Sequence, residues 1–451
     1  MPIQDLKHVV RELPGGGFVL VLNTGTDIGP ESEAMLQALH SRSIGGIRHH
    51  LEAIAKRGPE NFMSTYYVGY GDKSIGDCGT CTLFIEGVSM LVAKAIQDWP
   101  LYSGQESSTR YIDFASQPFV DPLSTEETRV ALEALRSFYL KGVEALPADL
   151  MERYPRKEDE DEKLYTKAIK ARAFDIMRAF LPSGATTNLA WHSNLRQIAD
   201  KLLVLRHHPL AEVRTVAEAI EAAVLEAFPS SFGHKRYEAT ETYNAERMSE
   251  GYLFESKDHP DFAVRFDGID RESLKEYREA LETRPAKTEL PKHMNECGMI
   301  GFDFLLDFGS FRDVQRQRAV TQRMPLVTME HGFHPWYLGE LTPELRNEAV
   351  PLLEKHRRFV DSLPANAADK QYYVPMGYLI PNRLTGTLPA LVYLIELRTT
   401  RFVHPTLRVR AQEMGKALIE RFGDYGLVLH YDGEPDRFDI GRGKHDIVAK
   451  E

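Results

Sequence analysis

The chain has 451 residues, 43% hydrophobic and 27% charged, the profile of an ordinary soluble globular protein with room for two or three domains. Its net charge of −11 argues against a duplex nucleic-acid binder, which usually presents a basic face, but not against small phosphorylated ligands held by local arginines. No run of about 18 apolar residues predicts a membrane span, the opening MPIQDLKHVVREL lacks a signal-peptide pattern, and three cysteines in so long a chain point to a reducing, cytoplasmic setting.

In chain order, residues 13–24 read as a strand led in by a glycine run, which lacks the later glycine and helix of a dinucleotide loop and is taken as a turn. Residues 31–57 read as helical, with a break at Gly45-Gly46. From Thr80 to Trp99, apolar residues at Leu83, Val88, Leu91, Val92, Ala95 and Ile96 predict a buried helix. Cys78 and Cys81 form a lone C-x-x-C at its start; with Cys297 they are expected to be buried core thiols without metal. The loop SGQESSTRY at 103–111 offers hydroxyls, amides and Arg110 in little space, which suits a bound phosphate or a uracil-like ring. A solvated loop capping the next segment is the alternative.

A helix over 121–146 is expected, with Ser124 as N-cap and Glu127 as its capping-box partner, and the run RKEDEDEK at 156–163 reads as a solvated connection. In the dense block 166–228, Pro182 ends one helix and Asn194 to Arg206 lies on the next. Residues 229–265 turn polar, and a domain boundary is expected there. The second half then follows the first in order. Asn295-Glu296-Cys297-Gly298 answers Gly76-Asp77-Cys78-Gly79, Arg316-Gln317-Arg318 answers Gln97-Asp98-Trp99, and Val374-Pro375 answers Leu181-Pro182. Leu397-Arg398 answers the Leu-Arg at 205–206, and helix starts at 124 and 342 occupy equivalent places. No Ser-His-Asp, Cys-His or HExxH arrangement stands out.

The order G-x-x-S, acidic residue, apolar segment, then S-x-Q-x-S-x-R-Y resembles the central region of the flavin-dependent thymidylate synthases. So does the later series of Arg178 before Leu181-Pro182, Asn194 and Arg196 in N-L-R, and Arg206. Two departures stand out: the family's R-H-R triplet reads Gln97-Asp98-Trp99 here, and one extra residue separates Arg196 from Arg206, with Asp200 near the family's histidine or asparagine. In the second half, QRQR at 315–318 nearly matches the triplet, whereas the serine loop and N-x-R are missing.

The resemblance implies an α/β (α+β) protein made of two tandem copies of that fold, with central helices packed on small sheets. Residues 1–228 would form the first copy, 229–264 a linker and 265–451 the second. It implies FAD as cofactor, with NADPH and methylene-tetrahydrofolate as co-substrates, and transfer of a one-carbon unit to C5 of dUMP. Gln105, Glu106, Ser107, Ser108, Arg110, Arg178 and Arg206 would bind the nucleotide, Arg178 and Arg206 also serving catalysis. Ser74, Asp77, Asn194 and Arg196 from copy one, and Arg316, Gln317 and Arg318 from copy two, would hold the flavin; no metal is expected. Complementary decay after duplication would leave composite sites in a homodimer standing in for the family's tetramer. Alternatives are another pyrimidine nucleotide, hydroxymethylation, or an inactive nucleotide-binding or scaffold relative.

Overall fold

The computed structural model describes residues 8–12, 18–22, 28–42, 46–69, 71–109, 112–252 and 258–445. Its contacts divide the chain into two units. Unit one holds 1–85, 101–105 and 189–249; unit two holds 86–100, 106–188 and 250–451, and so draws on both sides of the polar stretch 229–265.

Unit one is mainly helical. The hairpin His8–Glu12 and Phe18–Leu22 pairs antiparallel, and the helices Pro30–Arg42 and Gly46–Arg57 follow. The proposed break at Gly45 lies outside the described residues. A π-helical segment, Met63–Gly69, leads to the short helix Lys73–Gly76. These elements bury Ala34, Ala38, Met63, Tyr67 and Ile75 against Leu195, the first residue of the helix Leu195–Leu205. Gly76 is required at this junction, because a Cβ there would sit 2.5 Å from the Tyr67 ring. Cys78 and Cys81 pack on this cluster but are only half-buried, which corrects the expectation for two of the three thiols; Cys297 is buried.

The expected helix over 80–99 is instead a strand, Thr80–Ser89, followed by the helix Met90–Gln97. Threonine, phenylalanine, isoleucine and valine favour the strand, Gly87 turns the backbone at φ 67°, and the Ser89 hydroxyl accepts from Val92 N at 3.2 Å to start the helix. Only the helix is buried all round, every residue from Met90 to Gln97 being buried. A second strand, Thr186–Asn194, fills the gap left after Pro182, and it lies between Thr80–Ser89 and Ser103–Glu106 in a three-stranded sheet.

Unit two is built on a four-stranded antiparallel sheet ordered Phe262–Asp267, Met299–Asp307, Leu379–Thr387, Thr321–Arg323. Phe302, Phe304 and Leu384 are at most 1% exposed on its core face. Pro405–Phe422 packs on Leu388–Arg398, and both prolines, Pro405 and Pro389, stand in first turns, where a missing N–H costs nothing. The long helix Glu126–Arg153 is capped by Thr125 and Thr128 reciprocally, not by Ser124 and Glu127; Ser124 has φ 50° and sits outside the helix.

From Thr80 and from Met299 onward the chain twice runs strand, helix, strand, long helix, 3₁₀ turn, strand, helix, helix, with the helix Glu162–Met177 added before the first turn and the short helices Pro335–Glu340 and Ala367–Lys370 added in the second run; in each, the last strand of the run lies between the two before it. Thr186–Asn194 and Leu379–Thr387 are each 9 residues, and the helices that follow, Leu195–Leu205 and Leu388–Arg398, are each 11. Inside unit two the equivalent 3₁₀ turns meet head to head. Pro182 bridges Pro375, Ser183 N donates to Val374 O and Gly184 N to Tyr372 O, while Met376 N donates to Leu181 O and Gly377 N to Ala179 O, all at 2.8–2.9 Å. No helix among the described residues is long and apolar enough to cross a membrane.

Candidate functional site

Four of the expected flavin contacts meet in unit one. Asn194 caps the helix Leu195–Leu205 by accepting from Gln197 N at 2.8 Å, and its amide donates to Asp77 at 3.2 Å. Arg196, two residues on, donates to the same carboxylate at 2.8 Å and reaches Asp200 at 3.4 Å, which also receives Lys73 at 3.2 Å. Ser74 stands on the helix leading to Asp77, its hydroxyl donating to Asp72 at 2.6 Å. The N-x-R spacing works because capping turns the Asn194 side chain toward the helix start, where Asp77 stands. The Asp77 pair raises the Arg196 pKa, so the guanidinium remains charged while 35% exposed.

Arg196 and Arg206 line one cavity of about 280 Å³ with Lys73, Tyr67, His234 and Tyr237. Its size, at the lower end for small-molecule sites, suits one moiety of a dinucleotide. Ser74 is exposed and Arg196 part-exposed, so both stand open to solvent although each already donates to a carboxylate. Arg206, however, is already engaged. Its guanidinium forms a two-pronged pair with Glu241, Nε donating at 2.7 Å, and lies 3.6 Å from Glu221. His207 Nε2 meets the same Glu241 carboxylate at 2.7 Å. Arg206 first, and His207 after it, hold the Glu241 carboxyl down to about 2 against the opposing effect of burial. Glu241, Glu221 and Lys73 were not singled out by sequence. Glu241 lies in the polar stretch read as a boundary, which forms the helix Glu238–Tyr252.

Unit two holds a second cluster around Arg178. Its side chain is 12% exposed, Nη1 lies 3.9 Å from Asp175, and Nε and Nη2 are buried with no hydrogen-bond partner among the described residues. Burial opposes its charge, but Asp175 most of all, with Asp313 and Asp307, more than offsets this and raises its pKa. Asp307 in turn accepts from Ser310 N at 2.9 Å and Tyr337 Oη at 2.8 Å, capping the helix Phe308–Val314. Two buried donors without acceptors are costly unless an acceptor arrives.

The other expected residues are placed as follows. Glu106 is 3% exposed and held by Arg312 and by Gln97, whose amide donates at 2.7 Å, so its side chain is committed within the protein. Ser107 and Ser108 are half-buried, with Ser107 N donating to Asn188 O at 2.8 Å, and Gln105 is exposed. Arg110 lies outside the described residues. The helix before the R-x-R ends at Val314; Arg316 is 54% exposed and 3.7 Å from Asp313, Gln317 is buried, and Arg318 is half-buried.

Residues 31–230 match the family described as thymidylate synthase complementing protein. The chain is 26% identical over 439 residues to the UPF0159 protein of Chlamydia muridarum, across 84% of this chain and 82% of that one. It is 25% identical over 441 residues to that of Chlamydia pneumoniae, across 85% and 82% of the two chains. With UPF0159 protein Ta1429 of Thermoplasma acidophilum it shares 23% over 419 residues, across 77% and 84%.

Proposed function

We propose that the chain is a thymidylate synthase-like flavoenzyme that transfers a one-carbon unit to C5 of dUMP, using FAD, NADPH and methylene-tetrahydrofolate. The observation that carries this reading is the closure of Asp77, Asn194 and Arg196 into one hydrogen-bonded cluster, at the positions where the family resemblance puts flavin contacts. When bound, the flavin supplies the reducing equivalents. Ser74, Asn194 and Arg196 would hold it. Arg178 would deliver its two unpartnered donors to the nucleotide, stabilising negative charge that develops on the uracil in a site poor in water.

The matching order of elements and strands supports two tandem copies, 1–228 and 265–451 joined by 229–264. In this reading the flavin site draws Arg316, Gln317 and Arg318 from the second copy and the N-x-R cluster from the first. The functional particle is a homodimer binding one FAD per chain. Tritium release from 5-tritiated dUMP, with methylene-tetrahydrofolate and NADPH, tests the reaction directly; a yellow protein releasing no tritium points to another pyrimidine substrate. A second reading, nucleotide binding without turnover, is favoured by one observation: Arg206 is already filled by Glu241. A colourless purified protein that binds dUMP would select it.

A further inference from the structure

Unit two contains a cavity of about 470 Å³ that the proposed reaction does not use, inside the range of roughly 300–1,000 Å³ typical of small-molecule sites. One wall is the helix Leu388–Arg398, which contributes Val392, Tyr393, Glu396 and Leu397, and the other is the stretch 284–289 with His430. The helix Leu195–Leu205 has the same length, so Val392, Tyr393 and Glu396 stand where Ala199, Asp200 and Leu203 line the cavity of unit one. The same helical face therefore lines a cavity in each unit, with different chemistry. Arg196 and Asp200, 3.4 Å apart in the first, are answered by Pro389 and Tyr393 in the second, which exchanges an ion pair for a ring.

Val392 is 1% exposed, whereas Tyr393 and Leu397 are 47% and 38% exposed, so apolar surface remains open at the cavity. The buried charges are spent on each other. Arg284 pairs with Glu396 through both terminal nitrogens, Nη1 at 3.1 Å, and His430 N donates to the same carboxylate at 2.8 Å. His430 Nε2 meets Arg284 O, also at 2.8 Å. Two lining charges are left, Lys287 and Glu289, both exposed and neither side chain with a hydrogen-bond or ion-pair partner among the described residues. Lys287 has φ 64°, a left-handed backbone that a residue other than glycine holds only where its surroundings impose it, and such strain gathers at ligand sites. An open cation and an open anion two residues apart, beside an apolar hollow, complement a molecule that carries both charges next to an apolar ring.

We infer that this cavity of unit two binds an aromatic α-amino acid, its ring against Val392, Tyr393 and Leu397, its carboxylate on Lys287 and its ammonium on Glu289. An aromatic ligand buries much area for little lost freedom and packs on the Tyr393 ring. A zwitterion answers both open charges at once, whereas a plain acid would meet Glu289 and a plain amine would meet Lys287. The inference stands apart from the flavin reading, which uses none of these residues.

Calorimetric titration of the full-length protein with L-tryptophan, tryptamine and indole-3-propionate tests this inference. L-Tryptophan should give one saturable isotherm, about ten-fold or more tighter than either analogue, as expected for one charge-assisted contact kept or lost. Lys287→Asn should weaken L-tryptophan by about ten-fold and leave tryptamine unchanged; asparagine tolerates the left-handed backbone, so the loop keeps its shape. Glu289→Gln should weaken L-tryptophan in the same way and leave indole-3-propionate unchanged. Leu397→Trp, which puts a ring into the cavity from a position 38% exposed, should abolish binding, whereas Val409→Trp, at an exposed position outside the cavity, should not alter it. Circular dichroism checks that each variant folds. Absence of an isotherm in the parent, or an isotherm that survives Leu397→Trp, overturns the site. Indole-3-propionate or tryptamine binding as tightly as L-tryptophan overturns the assignment to an amino acid. Displacement of L-tryptophan by dUMP would place it in the nucleotide site and likewise refute the inference.

Discussion

Replacing Glu241 with glutamine separates the structural role of its pair from the binding role of Arg206. The carboxyl is held at about 2, against an ordinary 4.5, chiefly by Arg206 and then by His207. Each pKa unit is worth about 1.4 kcal/mol, so the full shift corresponds to about 3 kcal/mol of stability at pH 7. With the Glu241 side chain 21% exposed, screening brings this to about 2. The carboxyl is depressed in the folded state, so this stability is complete above pH 4.5 and fades as pH falls toward 2. Urea unfolding of the parent and of Glu241→Gln should therefore differ by about 2 kcal/mol at pH 7 and by roughly half that near pH 3.5. At pH 7 the variant should also bind dUMP about ten-fold more tightly, because the anion no longer competes with a resident carboxylate. A stability difference unchanged between the two pH values would refute the electrostatic account. Unchanged dUMP affinity would refute a nucleotide role for Arg206.

Arg178→Lys should weaken dUMP binding by about 10- to 150-fold while FAD absorbance persists, since a lysine cannot present the same fork; equal affinity would exclude Arg178 from the nucleotide site. Arg196→Ala and Arg318→Ala should each abolish tritium release, and heterodimers of the two should recover part of it where the halves of a site come from different chains. FAD should load at one per chain, and two per chain would rule out composite sites. Gly184→Ala should destabilise by about 1–3 kcal/mol in denaturant, because its Cβ would meet Tyr372 O at 2.7 Å and Val120 O at 2.8 Å.

Local pattern carried part of the fold: the helical reading of 31–57 meets the helices Pro30–Arg42 and Gly46–Arg57, and the helix expected from Asn194 to Arg206 is Leu195–Leu205, with Asn194 as its cap rather than inside it. Thr80–Ser89 misled because Leu83 and Val88 fit a helical spacing into the true helix beyond Ser89, while Phe84, pointing to solvent at 77% exposure, carried no helical signal. The strand Thr186–Asn194 hid in a run of threonine, asparagine, histidine and serine whose middle position in the sheet buries even Thr186 and Thr187. Glu241 was illegible for a different reason: a carboxylate in a polar stretch has no sequence mark of the arginine it will meet. The commitment of Glu106 to Arg312 is of the same kind, its partner lying 206 positions away.

The junction at Pro182 and Pro375 exchanges two backbone hydrogen bonds in each direction, so its two sides are interchangeable in form. Between separate identical chains, such a contact would dissolve on dilution, and every substitution in it would be made twice. Within a single chain it is held at a fixed effective concentration, whatever the amount of protein. A change on one side is then made once and leaves the other untouched. That freedom is visible one turn away, where Arg178 opens one 3₁₀ turn with unpartnered donors and Gln371 opens the other with its amide oxygen spent on Val327 N. The same backbone shape can hold a ligand-ready cation on one side and a settled amide on the other.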